Sequence, residues 1–445
     1  MVKRTILRAI LDRILIPSYT FSYTLKLTSE GVSSNVSINI GFYQLKNEKR
    51  LQEGASGRRD FMNFLGTHSE EGKRYREKLV LIEQGVRQVM VGYDRLVRRI
   101  LYGLFSDGQK TLGRTTCAHL LLLAYPGLGK STAGETIAQL IGGVFRRIQL
   151  VADMLPSDIL GTPVIESPNG KKEFSFLRGP IFSNSVLLDE INRTPPRTLS
   201  AALQAMAEGK VDVGHERFYI EDPFFVIATQ NPLEQEGTYP LPEALLDRFA
   251  MRILLDYLSE AEELALSERE DSFAKLSLKA LVEKEEVVAI REFIRSHVYV
   301  DRACRAYAVR LVYATRPQVG GEEVLLHRTC LQDLYIGNRS PVLVGCSPRT
   351  HLVLINLAKT KAFLEGRDEV WYEDIQDLTF DVFNHRIVLD GTLLAQRAGR
   401  PIQYLDENLM EQGEKIFDLR NDIGFLHQIV RRILRGVPTE VSELK

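Results

Sequence analysis

The stretch that decides the fold is HLLLLAYPGLGKSTAGETIAQLI, residues 119–141. Its apolar start, 119–123, predicts a buried strand, and the spacing of apolar residues in 133–141 predicts a helix. In the loop between them, glycines let backbone N–H groups curl around phosphate groups, and a lysine neutralises the phosphate charge. The sequence therefore predicts a nucleotide-phosphate loop, with the Ser131 hydroxyl as a ligand for Mg²⁺. Its residues are Pro126, Gly127, Leu128, Gly129, Lys130, Ser131 and Thr132.

One position departs from the usual phosphate-loop pattern G-x-x-x-x-G-K-[ST], because Ala124 stands where the first glycine is expected. Alanine loses easy access to positive φ but adds only a methyl group. We expect the loop to bind phosphate if Ala124 has the backbone angles of an ordinary strand end. The alternative is that the substitution impairs phosphate binding by the loop. The sequence does not show whether Ala124 slows ATP turnover.

Four more apolar runs follow the loop, at 144–150, 185–188, 224–228 and 251–255. They do not alternate with polar residues, which is typical of parallel strands buried on both faces with helices between them. Beyond residue 255 helical periodicity takes over. The predicted fold class is α/β, a phosphate-loop parallel-sheet core followed by an all-helical lid domain. The predicted lid helices cover 260–272, 285–296, 302–315, 348–365 and 371–383.

These patterns divide the 445-residue chain into four regions. We place an N-terminal extension at 1–74, the α/β core at 75–256, the lid at 257–390 and a C-terminal helical extension at 391–445. The N-terminal extension has an amphipathic pattern up to residue 17 and alternating segments that predict two strands within 18–42. Glycines in 317–341 predict an insertion or a long loop inside the lid. We assign no function to the two extensions.

The composition is that of an ordinary globular protein, with 44% apolar and 26% charged residues. The net charge of −1 gives no overall attraction to nucleic acid or to an anionic membrane. The four cysteines form no C-x-x-C pair, so we expect reduced thiols and a cytoplasmic protein. Charges interrupt the apolar residues of 1–17, which excludes a signal peptide or a membrane span there.

Two carboxylates follow the apolar run 185–188 directly. Asp189 has the chemistry to hold Mg²⁺, usually through water, and Glu190 has the chemistry to orient and deprotonate an attacking water. Taken alone, the pair could equally cap the helix that begins near Pro195. Downstream of a phosphate loop, the catalytic interpretation is favoured.

Two further polar residues stand beside predicted strands. Asn231 follows the run 224–228, where a neutral amide can hydrogen-bond the γ-phosphate or the attacking water, and a turn asparagine before proline is the alternative. Arg248 precedes the run 251–255, where a ring of subunits would present it to a neighbour's phosphate. A guanidinium there would stabilise charge that develops in the transition state.

In the order of its motifs, the chain resembles the MoxR family of AAA+ ATPases over roughly residues 75–390. The resemblance rests on the phosphate loop, DEINR at 189–193, ATQNP at 228–232, EQEGTYP at 234–240 and LDRF at 246–249. Shorter matches are LPSD at 155–158, GPIF at 179–182 and SPR at 347–349. Ala124, a longer lid insertion and the two extensions depart from the family.

The resemblance implies an ATP hydrolase with Mg²⁺ that works as a ring, normally a hexamer. It implies that Asn231 is the sensor-1 residue, Arg248 the arginine finger, and Arg349 the sensor-2 arginine, acting on its own or a neighbour's nucleotide. Val91 and Gly92 match the family's segment beside the adenine. The implied role is chaperone-like remodelling, assembly or activation of a protein client, and clients of this family often carry a von Willebrand factor A domain.

Two predicted hairpins bear on how such a ring would act. Segments 162–167 and 172–177 flank an Asn-Gly pair that favours a tight turn, and 211–213 and 218–220 flank Gly214 and His215. They resemble the helix-2 insert and presensor-1 hairpins, which point toward the pore or face of the ring. Ordinary surface hairpins are the alternative, and we expect His215 to be a turn residue rather than a ligand.

Two other functions stay open from the sequence. A nucleic-acid motor of the minichromosome-maintenance-like clade would use basic hairpin tips, but here Lys171 and Lys172 stand beside Glu173, and Arg217 beside Glu216. This local neutrality predicts weak, salt-sensitive binding to nucleic acid. A scaffold that binds nucleotide without hydrolysing it is the third possibility.

Overall fold

A hairpin forms the described part of the N-terminal unit. The computed structural model describes residues 21–29, 32–40, 69–111, 114–125, 127–166, 173–231, 237–269, 278–317, 322–390 and 422–439. They fall in two units, Met1–Phe61 and Met62–Lys445, and each is described by itself. In the first, β1 (Phe21–Ser29) pairs antiparallel with β2 (Val32–Ile40). The predicted strands are confirmed, and the predicted helix before residue 18 lies outside the described residues.

In the second unit, helices and strands are mixed up to residue 255 and helices dominate after it. The first part contains α1 (Glu70–Val89), α2 (Asp94–Leu104), β3 (Asp107–Thr111), β4 (Arg114–Cys117), β5 (Leu120–Ala124), α3 (Lys130–Leu140), β6 (Phe145–Gln149), α4 (Pro156–Leu160), β7 (Gly161–Glu166), β8 (Glu173–Arg178), β9 (Ser185–Asp189), α5 (Pro196–Glu208), β10 (Lys210–Val213), β11 (Glu216–Tyr219), β12 (Phe225–Gln230), α6 (Glu243–Leu246) and β13 (Met251–Leu255). The second part contains α7 (Glu260–Glu268), α8 (Lys284–His297), α9 (Arg302–Tyr313), α10 (Glu322–Leu331), β14 (Val342–Val344), α11 (Arg349–Leu364), α12 (Tyr372–Phe383), β15 (Val388–Leu389) and α13 (Asp422–Gly436).

The five apolar runs of the sequence form one parallel sheet in the order β13-β5-β12-β9-β6. All five residues of β5 and of β9 are buried. Their side chains enter two separate clusters, because alternate residues of a strand face opposite sides of the sheet. Leu120 and Leu187 join one cluster, and Leu121 and Leu188 join the other. The predicted doubly covered sheet is confirmed.

The region after the sheet is helical, with one short antiparallel ribbon of β14 and β15 added to it. The segment 317–341, expected to be an insertion or long loop, contains α10 and a 3₁₀ turn at Gln332–Leu334. The C-terminal helix α13 packs against α10 and α12 and buries Ile429 and Ile433. Because α13 comes about a hundred residues later, local periodicity could not identify α10 as a covered helix.

A buried ion pair joins the core to the lid. Arg99 of α2 donates through Nε to Asp381 Oδ2 of α12 at 2.7 Å, and the two side chains are 4% and 0% exposed. Arg99 also pairs with Asp377 on the same helix. Such a pair fixes the orientation of α2 against α12, since separating it would leave charges buried without partners.

The cysteines and the lengths of the helices bear on disulfides and on membrane-spanning segments among the described residues. The four cysteines are buried free thiols, and burial raises the pKa of Cys117 and Cys346 to about 12. Within the described ranges, none of the helices combines the length and the apolar character needed to cross a bilayer.

Candidate functional site

The predicted phosphate loop lies between the carboxyl end of β5 and the start of α3. Gly127 and Gly129 have φ of +83° and +71°, which glycine adopts without strain. A Cβ added at Gly127 would meet nothing within 4 Å, so the space in front of the loop is open. The first N–H groups of α3 have no partner within the helix and carry its positive dipole end, which favours a phosphate. Pro126 lies outside the described residues.

The side chains of the loop differ in exposure. Leu128 is buried, Lys130 and Ser131 are partly buried, and Thr132 is exposed. Lys130 Nζ makes a long 3.5 Å contact with the carbonyl oxygen of Ala124, which leaves its charge available to a phosphate. The loop therefore presents a cation and a hydroxyl beside open space.

Ala124 is a regular residue of β5. It pairs with Leu255 of β13, is fully buried, and is not among the described residues with positive φ. A glycine is not required at these angles, since only positive φ makes an L side chain costly. Ala124 therefore has the backbone of an ordinary strand end, which is the condition that we set for a loop that binds phosphate. The effect of Ala124 on ATP turnover stays a prediction.

The carboxylate of Asp189, at the end of β9, is 7% exposed and held by two neighbours. Arg147 of β6 donates through Nη2 to Asp189 Oδ2 at 2.6 Å, and the hydroxyl of Thr229 donates to Asp189 Oδ1 at 2.5 Å. Carboxylate and hydroxyl oxygens are the protein ligands that Mg²⁺ uses, together with water and substrate phosphates. Within the described ranges, no three His, Cys, Asp or Glu side chains are grouped to hold a metal alone. The oxygen donors of Ser131 and Asp189 fit Mg²⁺, which they would hold together with water and a nucleotide phosphate.

Glu190 has an unusual backbone. Its φ and ψ are +60° and +55°, and it is the one non-glycine residue with positive φ among those the structure describes. Its N–H donates to Thr229 Oγ1 at 3.0 Å, and its carboxylate pairs with Arg193 Nε at 3.0 Å. Strained backbone of this kind persists where surrounding contacts hold it, and it is frequent at functional sites.

Asn231 follows β12, which lies between β5 and β9 in the sheet. In the register, Gln230 pairs with Leu123 and Ala228 pairs with Leu188. One step further along the strands, Asn231 is level with Ala124 at the mouth of the phosphate loop, and Thr229 is level with Asp189. Asn231 is 5% exposed. The sheet thus brings the loop, both carboxylates and the amide to one edge.

Thr229 was missed as a site residue by sequence reasoning. Its side chain is fully buried, and one hydroxyl serves both acids by donating to Asp189 and accepting from the Glu190 N–H. The local signal was only a threonine before Gln230 in an apolar strand. Arg147 was missed for the same reason, because nothing near it in sequence marks its approach to Asp189.

Arg248 does not join this group. It precedes β13, whose first residue Met251 pairs with Leu120, the first residue of β5. The phosphate loop follows the other end of β5, four residue steps or about 13 Å away. Arg248 Nη1 is buried and has no hydrogen-bond partner among the described residues. Arg349 begins α11 and is exposed.

A cavity of about 170 Å³ lies where Val91 and Gly92 were expected to border a base. Gly92 has φ of +79°, and a Cβ there would lie 2.7 Å from Leu258 Cδ2, so only glycine fits. Tyr257 stacks on Tyr125, just before the loop, with ring centroids 4.9 Å apart. Six of the lining residues are Gly92, Tyr93, Leu96, Leu255, Tyr257 and Leu258. The charged side chains of Arg95, Asp256 and Glu262 also line the cavity, whereas Val91 is not among its lining residues. The cavity has room and partly apolar walls for a flat ring system.

Both expected hairpins are present, as β7–β8 and β10–β11. Phe176 of the first stacks on Phe218 of the second at 4.4 Å, so they form one surface. Ile165 and Leu177 are 59% and 65% exposed on the first hairpin. His215 is an exposed turn residue, and the tip of 167–172 lies outside the described residues.

The second hairpin does not present a free cationic tip in its described residues. Arg217 Nε pairs with Asp212 Oδ1 at 2.9 Å, and Lys210 pairs with the same carboxylate at 3.1 Å. Lys210 also pairs with Glu208 Oε2 at 3.1 Å, so both cations have carboxylate partners, which disfavours the nucleic-acid alternative.

Comparisons with known proteins agree on one family. The model described as ATPase family associated with various cellular activities matches residues 119–251, and the AAA lid domain matches residues 339–403. The Chaperone MoxR1 of Mycobacterium tuberculosis is 38% identical over 312 residues, which cover 70% of this chain and 75% of that protein. The Protein MoxR of Methylorubrum extorquens is 27% identical over 344 residues, covering 73% and 91%. A crystal structure of a protein from Cytophaga hutchinsonii, described as a candidate ATPase, superposes with a TM-score of 0.63 at 32% identity, covering 86% of this chain and 98% of that one.

Proposed function

The chain belongs to the MoxR family of AAA+ ATPases, and on this premise we propose that it hydrolyses ATP and uses the energy to remodel a protein client. One observation carries the proposal: the phosphate loop, Asp189, Glu190 and Asn231 meet at the carboxyl edge of β5, β12 and β9. Ligands of open parallel sheets bind at this edge.

In this proposal the loop binds the phosphates of ATP. N–H groups from Gly127 to Thr132 surround them, and Lys130 neutralises their charge. The adenine occupies the cavity lined by Gly92, the residue that follows Val91. Leu128 lies in the turn between the two glycines, and Pro126 stays a predicted residue of the ATP site.

The chemistry is attack of water on the γ-phosphorus. Glu190 takes the proton of that water as its oxygen bonds to phosphorus, Asn231 orients the water or the γ-phosphate, and ADP leaves as the phosphorus–oxygen bond breaks. Ser131 and Asp189 would hold Mg²⁺, which supplies positive charge to the phosphate oxygens when bound.

The site requires a second subunit. Because Arg248 lies at the opposite edge of the sheet from its own phosphate loop, we propose that it acts as an arginine finger on a neighbour's ATP. Repetition of this contact closes a ring, for which six subunits are the family expectation. Arg349, exposed at the start of the lid helix α11, is the proposed sensor-2 arginine.

The client is a protein in this proposal. The first hairpin exposes Ile165 and Leu177, one on each of its faces, and exposed apolar side chains favour contact with protein rather than with nucleic acid. The relative named Chaperone MoxR1 supports a chaperone-like role. A client with a von Willebrand factor A domain and a cytoplasmic location belong to the same proposal.

The catalytic assignment is tested by steady-state ATP hydrolysis of the purified protein. Lys130→Ala should lose ATP binding, and Glu190→Gln should bind ATP but lose turnover by at least about a hundredfold, since a general base contributes that much. Glu77→Gln, at an exposed position of α1, is the matched control and should keep wild-type turnover. Undiminished turnover in Glu190→Gln would refute the assignment, and bound ATP without turnover in the wild type would favour the scaffold alternative.

The shared site is tested by mixing. Arg248→Ala subunits have an intact loop and Glu190→Gln subunits have an intact finger, so each alone should be inactive. A one-to-one mixed ring should recover about a quarter of the wild-type turnover, because half of the sites are intact and half of their neighbours carry the finger. No recovery, together with a monomer by light scattering in Mg²⁺ and a non-hydrolysable ATP analogue, would exclude the ring.

A further inference from the structure

The segment that carries Arg248 is bound tightly to the lid of its own subunit. Arg386, just after α12, is 2% exposed and donates through Nε to Asp247 Oδ1 at 2.7 Å. Its other nitrogens donate to backbone carbonyls at Asp247, Phe249 and Ala250. One guanidinium thus encloses the backbone on both sides of Arg248.

Two more lid contacts reach the same segment. Ser347, two residues before Arg349, donates to the other carboxylate oxygen, Asp247 Oδ2, at 3.2 Å. His385 Nε2 lies 3.1 Å from the carbonyl oxygen of Phe249. Asp247 is therefore held at once by the start of α11 and by the residues that follow α12.

The next strand is fixed to the lid in the same way. Arg252 donates through Nε to Asn384 Oδ1 at 2.9 Å, and Asn384 Nδ2 donates back to the Arg252 carbonyl at 2.8 Å. Separating the lid from this segment would leave a buried guanidinium and a carboxylate without partners, which is strongly unfavourable. Residues 247–250, which lead into β13 of the core sheet, are therefore tied to α11 and α12.

We infer that Asp247 is a positioning residue that ties Arg248 to the lid of its own subunit. The inference rests on the proposed function, in which Arg248 acts on the neighbouring ATP. The lid end held by Asp247 is also the end from which Arg349 projects. In this inference, ATP bound in one subunit sets the position of that subunit's Arg248. Because that Arg248 acts on the ATP of the next subunit, adjacent sites are coupled.

The test uses Asp247→Asn, which keeps the shape of the side chain and removes its charge. We expect ATP binding in the subunit's own site to change by less than about twofold, and turnover to fall about three- to thirtyfold, the range of mutations that uncouple sites. If adjacent sites are coupled, wild-type turnover should depend sigmoidally on ATP, and Asp247→Asn should make this dependence hyperbolic. Asp368→Asn, a change of the same kind elsewhere in the lid, is the control and should leave both unchanged.

Mixing separates a positioning role from a merely structural one. In one-to-one rings of Asp247→Asn with Glu190→Gln, half of the intact sites face an unaltered finger. Turnover per Asp247→Asn subunit should therefore rise to between about half and about two thirds of the wild-type value, depending on the size of the original loss. A defect within the subunit's own site would not be relieved by a neighbour, so absence of a rise would overturn the inference.

A second variant guards against loss of folding. Ser347→Ala removes one hydrogen bond from a partly exposed serine and should lower turnover by a smaller factor, again relieved by mixing. Wild-type turnover and cooperativity in both variants would overturn the inference while leaving Arg248 in place. If Arg248→Ala itself keeps full turnover, the finger assignment fails instead, so the two failures are distinguishable.

Discussion

Replacement of Thr229 by valine tests whether one buried hydroxyl organises both acids. Valine has nearly the same shape but can neither donate to Asp189 nor accept from the N–H of Glu190. Loss of the bond to the carboxylate costs about 1.5–3 kcal/mol, and an orphaned buried N–H costs about 1–3 kcal/mol. The two terms share one side chain and are not additive, so we expect the free energy of unfolding to fall by about 2–4 kcal/mol.

The effect on activity should exceed the effect on ATP binding. Removing a group that orients a metal ligand typically costs about 10- to 100-fold in activity. In a coupled ATPase assay of Thr229→Val, kcat should fall by this factor, while KM for ATP should change by less than about threefold because the loop around Lys130 is untouched. Urea unfolding of the same preparation gives the stability.

The matched control is Thr229→Ser, which keeps the hydroxyl and loses only a methyl group. It should retain most of kcat, although the small cavity lowers stability by about 1 kcal/mol. Wild-type kcat in Thr229→Val would refute the reasoning. An equal loss in both variants would show that packing, rather than the hydroxyl, matters here.

Arg147, Arg99 and His119 give three further tests. Arg147→Ala removes a cation that pairs with Asp189, so the Mg²⁺ concentration for half-maximal turnover should fall. The decrease should be about two- to fivefold, because this half-exposed pair is worth at most about 1 kcal/mol. An increase in that Mg²⁺ concentration would contradict the prediction. Arg99→Ala should lower the free energy of unfolding in urea by about 3 kcal/mol, because the buried carboxylate of Asp381 loses its buried partner. A decrease of less than about 1 kcal/mol would contradict a stabilising role for the pair. Burial lowers the pKa of His119 to about 4, below the value of about 6.5 in the unfolded chain. The unfolded state then binds more protons in this window, so stability is full above pH 6.5 and declines toward pH 4. The share due to His119 is about 2 kcal/mol at pH 5, and urea unfolding of His119→Gln should lack that decline.

Much of the fold could be read from short-range patterns. The five predicted runs became the five strands of the sheet. The central strands β5, β12 and β9 need apolar residues on both faces, which is a local property, whereas β6 at the edge exposes Arg146, Arg147 and Gln149. The glycines and lysine of the loop are likewise local, since the turn and the following helix create the phosphate site themselves. The sequence missed the β3–β4 ribbon, whose residues are mostly polar, and it missed α10, which is covered by a helix far along the chain.

The sequence alone thus determined the sheet, and it predicted the phosphate loop, Asp189, Glu190 and Asn231 as site residues, because each of these signals depends on neighbours a few residues away. Only the tertiary structure decided which side chains hold these groups. Thr229 meets Asp189 through the register of two parallel strands, and Arg386 meets Asp247 across 139 positions of the chain. Such pairs depend on packing between elements that are far apart in the chain, and no periodic sequence pattern records that packing.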